Sequence, residues 1–183
     1  MIDEILNVDC MDGLKTIPDK SINLIIMDPP YELEPAGGGA FGYANRTYHS
    51  ELEPISNGIS NDTLEMLMSK MKAINCYVWC NKHQLRQLID YFDDIGCNVD
   101  LLTWHKTNPT PSCGNKYLSD TEYLIYAREK GVKLYGSYHT KRKWYVTETN
   151  VKDKKRYNHP TVKPLEIIKN LVINSSRGGG YRA

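Results

Sequence analysis

Residues 28–31 read Asp28-Pro29-Pro30-Tyr31, a carboxylate, two prolines and a phenol in a row. An ionised carboxylate only accepts hydrogen bonds, and a proline offers a carbonyl with no N–H beside it. Proline also fixes its own φ, so these acceptors keep a set spacing and lose little entropy on binding. Tyr31 adds a flat ring. Acceptors beside a ring suit an exocyclic amino group on a planar base, whose two N–H bonds are accepted while the base stacks. The same four residues also suit an ordinary strand that ends in a Pro-Pro turn. Taken alone, they leave both readings open.

The element that must position them is the run before Asp28. Ile22 to Met27 is short, apolar and β-branched, which predicts a strand buried on both faces, as in a parallel sheet. Two prolines cannot extend its ladder, so it stops at Asp28. In open α/β sheets ligands bind just outside the carboxyl ends of strands, which is where Asp28 to Tyr31 fall. Ile2 to Val8 reads as a further short strand with Asp9 at its tip, and Asp12 to Ile17 as a short helix. Asn61 is expected to cap a helix over 62–72, with Leu64, Leu67, Met68 and Met71 on one face. Asn75 to Cys80 is a second buried strand. Asn81 should cap a helix from Lys82 to Ile95 that Gly96 stops. Asn98 to Trp104 and Thr121 to Ala127 are two more strands, followed by a shorter Val132 to Tyr135 segment. A last helix runs from Leu165 to Asn174 behind Pro164, with Leu165, Ile168, Leu171 and Val172 on one face. Strands alternating with helices predict an α/β sheet domain with helices on both faces.

The chain has 183 residues, 40% of them hydrophobic, enough for one domain with a real core. No apolar run approaches membrane-spanning length. The five cysteines, Cys10, Cys76, Cys80, Cys97 and Cys113, are odd in number and scattered. They suit free thiols in a cytoplasmic protein. Cys76 and Cys80 lack a second pair to complete a zinc site, so they are read as structural thiols of a strand and no metal is expected. Gly37, Gly39 and Gly42 match a dinucleotide fingerprint literally. They follow no strand and open no helix, so a loop over the pocket is the better reading, and Arg46, Tyr48 and His49 continue it.

A net charge of +1 hides an asymmetry. Acids dominate up to Asp62, where only Lys15, Lys20 and Arg46 are basic. Between 141 and 163, Lys141, Arg142, Lys143, Lys152, Lys154, Lys155, Arg156 and Lys163 face only Glu148 and Asp153. Tyr138, Trp144, Tyr145 and Tyr157 are interleaved or adjacent. Basic and aromatic residues in an irregular stretch suit a nucleic-acid surface, or a solvated loop.

Several stretches together resemble the DNA N-4/N-6 amino-methyltransferases. They are Asp28 to Tyr31 with the preceding Ile17 to Ile25, then Trp104-His105-Lys106-Thr107-Asn108-Pro109-Thr110-Pro111. Ser119 to Ala127 and Asn158-His159-Pro160-Thr161-Val162-Lys163-Pro164-Leu165 complete the set. Their order is similar to the β-type arrangement, catalytic motif first and cofactor motif last, and the similarity covers about residues 5–176. The resemblance implies a Rossmann-like methyltransferase sheet and methyl transfer from S-adenosylmethionine to an amino group of a base flipped out of double-stranded DNA. An acid at position 28 points to adenine N6; cytosine N4 is the alternative. It implies catalytic roles for Asp28, Pro29, Pro30 and Tyr31, and cofactor contacts for Asp9, Asp28, Thr161 and Lys163. Asp9 equally suits a cap. It places DNA contacts at Lys106, Asn108, Lys141, Arg142 and Lys143, within an insertion over about 107–157 of a single domain spanning 1–183.

One departure shapes the expectation. After the last helix the family continues with a strand and a glycine turn that cradles the cofactor, whereas here residues 174–183 read Asn-Ser-Ser-Arg-Gly-Gly-Gly-Tyr-Arg-Ala. A truncated gene from a phage-like element is therefore expected, or a missing segment supplied by a second chain. With it comes the alternative of an inactive remnant that at most binds DNA. Methylation of RNA or of a protein amide is the runner-up among enzymes.

Overall fold

The computed structural model describes residues 4–32, 58–109, 111, 115, 117–157 and 161–176. Five strands form one sheet: β1 (Ile25–Met27), β2 (Asn75–Cys80), β3 (Asn98–Lys106), β4 (Thr121–Arg128) and β5 (Trp144–Thr147). The helices are α1 (Cys10–Lys15), α2 (Asn61–Ser69), α3 (Leu85–Asp94), α4 (Val151–Tyr157) and α5 (Leu165–Ser175). The sheet order is β1-β2-β4-β3-β5. β1 runs parallel to β2, and β5 parallel to β3, while β4 is antiparallel to both of its neighbours. One reversed strand has a direct consequence. The carboxyl ends of β1, β2, β3 and β5 and the amino end of β4 all reach the same edge of the sheet.

β2 organises the core. Its side chains alternate between faces, as a pleated strand requires. Cys76, Val78 and Cys80 pack with Leu64, Met68 and Met71 from α2 and its end, and with Leu88, Tyr91 and Phe92 of α3. Tyr77 and Trp79 point the other way, toward Leu102, Trp104, Leu124 and Tyr126 of the sheet and Ile167 and Leu171 of α5. Tyr77 and Tyr126 stack with centroids 4.3 Å apart. The sheet is thus covered on both faces, as expected. Cys76 and Cys80 are free, buried strand thiols, also as expected, and burial pushes Cys80 up to about 12, which makes it a poor nucleophile at neutral pH.

A buried amide ties the layers together. Asn75 Nδ2 donates to the carbonyls of Asn23 (3.2 Å) and Ser175 (3.1 Å), and Tyr126 Oη donates to Asn75 Oδ1 (3.1 Å). One side chain so links the approach to β1, the end of α5 and β4.

Several boundaries differ from the sequence reading. The strand expected over Ile22–Met27 is split: Ile22 forms a single parallel bridge with Met71, and only Ile25–Met27 pair with β2. β1 is half-buried because it has one neighbour among the described strands. Residues 4–8 form no strand, since no described strand lies alongside them, and Ile5 is fully exposed. Ser60, not Asn61, caps α2 through Thr63 N (3.2 Å). Asn81 caps a turn through His83 N (3.0 Å), and α3 begins only at Leu85. Gly96 ends that helix with φ +77°, a conformation glycine adopts without strain. α5 buries Ile167, Leu171, Asn174 and Ser175 and leaves Leu165 exposed. Glu166, Lys169 and Asn170 mark one polar arc of this helix, and packing on Tyr77 and Trp79 selected which part of the broad apolar arc is buried. Val132 to Tyr135 is irregular, while the stretch read as irregular contains β5 and α4. The glycine loop with Arg46, Tyr48 and His49, and also Cys113, His159 and the tail from Arg177, lie outside the described residues.

Phe92 is fully buried between α3 and the sheet. Phe92→Ala should lower unfolding free energy by about 3–5 kcal/mol through lost transfer energy and a residual cavity. Urea denaturation would show it as a lower midpoint with little change in slope.

Candidate active site

The peptide leaving β1 at Asp28 is held by the turn after β2. Gln84, fully buried, donates from Nε2 to the Pro30 carbonyl (3.0 Å) and accepts at Oε1 from the Asn81 amide (3.3 Å). Asn81 Nδ2 also donates to the Glu32 carbonyl. A proline carbonyl has no helix or ladder partner here, so a buried side-chain donor satisfies it and fixes the loop against the sheet.

Beside that loop, four charges from four segments form an alternating chain. Asp28 Oδ2 lies 3.0 Å from Lys163 Nζ, and Lys163 Nζ lies 3.0 Å from Glu122 Oε2. Glu122 Oε1 then meets Lys106 Nζ at 2.7 Å. Tyr31 Oη donates to Glu122 Oε2 at 3.2 Å. The Lys163 ammonium sits 5.1 Å from the Tyr31 ring centre and 5.2 Å from that of Trp79, within cation–π range. The Trp79 indole N–H, next to it, finds no acceptor among the described residues. Asp28 has the most exposed side chain of the four, 35% against 10% for Lys163 and 18% for both Glu122 and Lys106. Asp28 is therefore the charge that faces outward.

Electrostatics follow from this packing. Burial pushes Glu122 up, but the ammonium groups of Lys163 and Lys106 outweigh it and hold the carboxyl below the usual carboxylate range. Burial, then the charges of Glu122 and Asp28, pushes the Tyr31 phenol far up, so it remains a neutral donor. Asp28, Tyr31, Lys163 and Lys106 are legible in the sequence. Sequence reasoning does not single out Glu122 or Gln84. The one local sign of Glu122 is an acid set inside the otherwise apolar strand Thr121–Ala127.

Other expected residues fall elsewhere. Asp9 caps α1, accepting from Met11 N (2.9 Å) and Asp12 N (3.4 Å), which is the capping alternative. Thr161 lies two residues before Lys163, on the same approach to α5. Lys106 is committed to the ion chain rather than to the surface. Asn108 Oδ1 accepts from Thr149 N (2.7 Å) and ties the end of β3 to the end of β5. Lys143 pairs with Asp100, and Arg142 lies 5.2 Å over the exposed Trp144 ring. These two precede β5 at its far end. At 3.3 Å per residue, Lys143 is about 13 Å from Thr147, which pairs with Lys106 at the site edge.

A protein-family model described as a DNA methylase matches residues 22–183. The type II methyltransferase M2.MboI of Moraxella bovis is 24% identical over 192 residues, covering 92% of this chain and 69% of that protein. M2.DpnII of Streptococcus pneumoniae, also a type II methyltransferase, is 23% identical over 97% of this chain and 74% of its own length. Among solved structures, the M1.HpyAVI–SAM complex is similar with a TM-score of 0.57 at 15% identity, covering 86% of this chain and 66% of that one. At that identity the likeness shows the fold. The chain spans about two thirds of that solved relative. Nothing in these likenesses supports the second chain that the sequence suggested.

Glu122 has a depressed pKa, so it contributes stability that is present above the ordinary carboxylate pKa and lost as pH falls through its folded value. Resistance of wild type to urea should fall on acidification below pH ~4.3, and its gap to Glu122→Gln should close there. A gap that is constant with pH would contradict the assignment.

Proposed function

The chain belongs to the N6/N4 DNA methylase family, and from that premise we propose that it is an S-adenosylmethionine-dependent DNA methyltransferase acting on adenine N6. The observation that carries this reading is the outward-facing Asp28 carboxylate, held at the mouth of the sheet beside the Tyr31 ring. An adenine amino group is a poor nucleophile because its lone pair is delocalised into the ring. Asp28 and the Pro29 carbonyl, accepting its two N–H bonds, would turn that lone pair toward the incoming methyl group. Alignment and stabilisation of positive charge developing on nitrogen would supply most of the rate. Asp28 is placed to take the amino proton as the new C–N bond forms. A base can reach this pocket only out of the duplex, and Tyr31 would stack on it.

The donor set suits the cofactor's methionine end. Its ammonium and sulfonium are cations, to which Asp28 presents a carboxylate, and its carboxylate would find the Lys163 ammonium. Asp28, Lys163 and Thr161 would line that end, with Asp9 a further carboxylate at the start of α1. When bound, the cofactor supplies an electrophilic methyl group. The approach to β5, with Lys141, Arg142 and Lys143 beside Trp144, would meet the DNA backbone some distance from the reacting base. Among the described residues no helix is long and apolar enough to cross a membrane. A type II modification role in the cytoplasm fits the named relatives.

Two measurements test this. Labelled-methyl transfer to double-stranded DNA should be detectable with wild type and fall by about 10²–10³-fold or more in Asp28→Ala, with cofactor binding followed by calorimetry. A folded wild-type chain that neither binds cofactor nor transfers methyl would leave DNA binding alone as the function. For the DNA surface, replacing Lys141 and Arg142 with alanine should weaken binding similarly on unrelated sequences. It should also shallow the salt dependence by about 0.9 for each phosphate no longer neutralised.

A further inference from the structure

We propose that Glu122 is a positioning residue for this reaction: it divides the Lys163 ammonium between two carboxylates, which leaves Asp28 able to grip the incoming amino group. The inference rests on the reading of Asp28 as the acceptor of that group. Lys163 stands equally close to Asp28 and Glu122, at 3.0 Å from each. Were Asp28 its one counter-ion, the buried ammonium would be matched one to one, and a base would have to displace a desolvated ion pair. Glu122 removes that competition, because Lys163 keeps a buried anion whatever Asp28 binds.

Glu122 is fitted to the task by being anchored independently. Lys106 holds its other oxygen at 2.7 Å, and the Tyr31 hydroxyl donates to the oxygen that Lys163 uses, at 3.2 Å. It is also less exposed than Asp28, 18% against 35%. The same carboxylate therefore sets the lysine beside Asp28 and the tilt of the Tyr31 ring, without itself facing the base. It stands at the start of β4, the one reversed strand among those described, which brings an acid to an edge where the other described strands present carboxyl ends.

The experiment compares wild type, Glu122→Gln, Lys163→Met and the double variant, with Asp28→Ala as a control. Glutamine preserves shape and the bond from Tyr31 but removes the charge, so Lys163 should close on Asp28. The inference expects Glu122→Gln to lower kcat by about 10–100-fold while KM for DNA moves less than about threefold. It also expects the double variant to be no slower than Lys163→Met, since Glu122 acts through that lysine. An unchanged kcat, or a double variant slowed by the product of the single effects, would overturn it. A second readout needs no turnover: the Lys163 Cε–Hε NMR signal, assigned by its loss in Lys163→Met, should shift in Glu122→Gln. Failure of the methyltransferase reading looks different, as a wild-type chain that transfers no methyl group. The NMR arm then decides alone, a shifted Lys163 signal upholding the ion-chain arrangement and an unmoved one overturning it.

Discussion

A lysine ammonium enclosed by two carboxylates and two aromatic rings is the constraint on which the site depends. Lys163 is about nine-tenths buried, and an ammonium so placed is tolerable only when its charge and donors are met. Removing one partner from a buried pair costs about 3–5 kcal/mol, because the survivor is left uncompensated. The segment before α5, the loop after β1 and the start of β4 must therefore arrive at one place with their charges in alternation. Lys106 at the end of β3 closes the chain on the fourth side. The Asp28 carboxylate is accordingly one link in a set of charges, and its geometry is inherited from the others.

The sheet explains how such distant segments meet. In an all-parallel sheet every strand presents its carboxyl end to the ligand edge, and residues at strand starts lie at the opposite edge. β4 runs against its neighbours, so Thr121 and Glu122, at its amino end, share the edge with Asp28 and Lys106. Backbone polarity alone sets this placement. Uncharged contacts then fix the details: buried Gln84 satisfies the Pro30 carbonyl, and Asn75 binds the approach to β1, β4 and the end of α5 into one unit. Both amides are buried and engaged through nitrogen and oxygen alike, which is how a buried polar group helps to specify a single arrangement.

The surface used for DNA in our reading is built differently. α4 buries none of its residues, and a bond pair between Asn150 and Asp153 holds its first turn. β5 is a four-residue edge strand whose one neighbour among the described strands is β3. Neither carries the apolar periodicity that makes an element readable, which is why this basic stretch looks irregular in sequence. Exposed lysines and arginines, with Arg142 over the Trp144 ring, suit a partner whose charge lies along a backbone.

The sequence by itself determined the parts that depend on near neighbours in the chain. β2 and β4 were legible because continuous apolar runs of strand length carry their own signal. Asp28 to Tyr31 were legible because two prolines must end a strand and leave the residues beside them outside its ladder. The lysine at 163 entered through its motif. What only the tertiary structure decided is which charges meet. Tyr31 and Glu122 are 91 residues apart, and no local pattern states that β4 is reversed or that its acid will face Lys163. Nor could periodicity say where within the broad apolar arc of α5 burial would centre, or foresee that β1 would stop after three paired residues. Secondary structure follows from short-range sterics and patterning, whereas an ion chain between four segments exists only once strand direction and register have brought them to one edge.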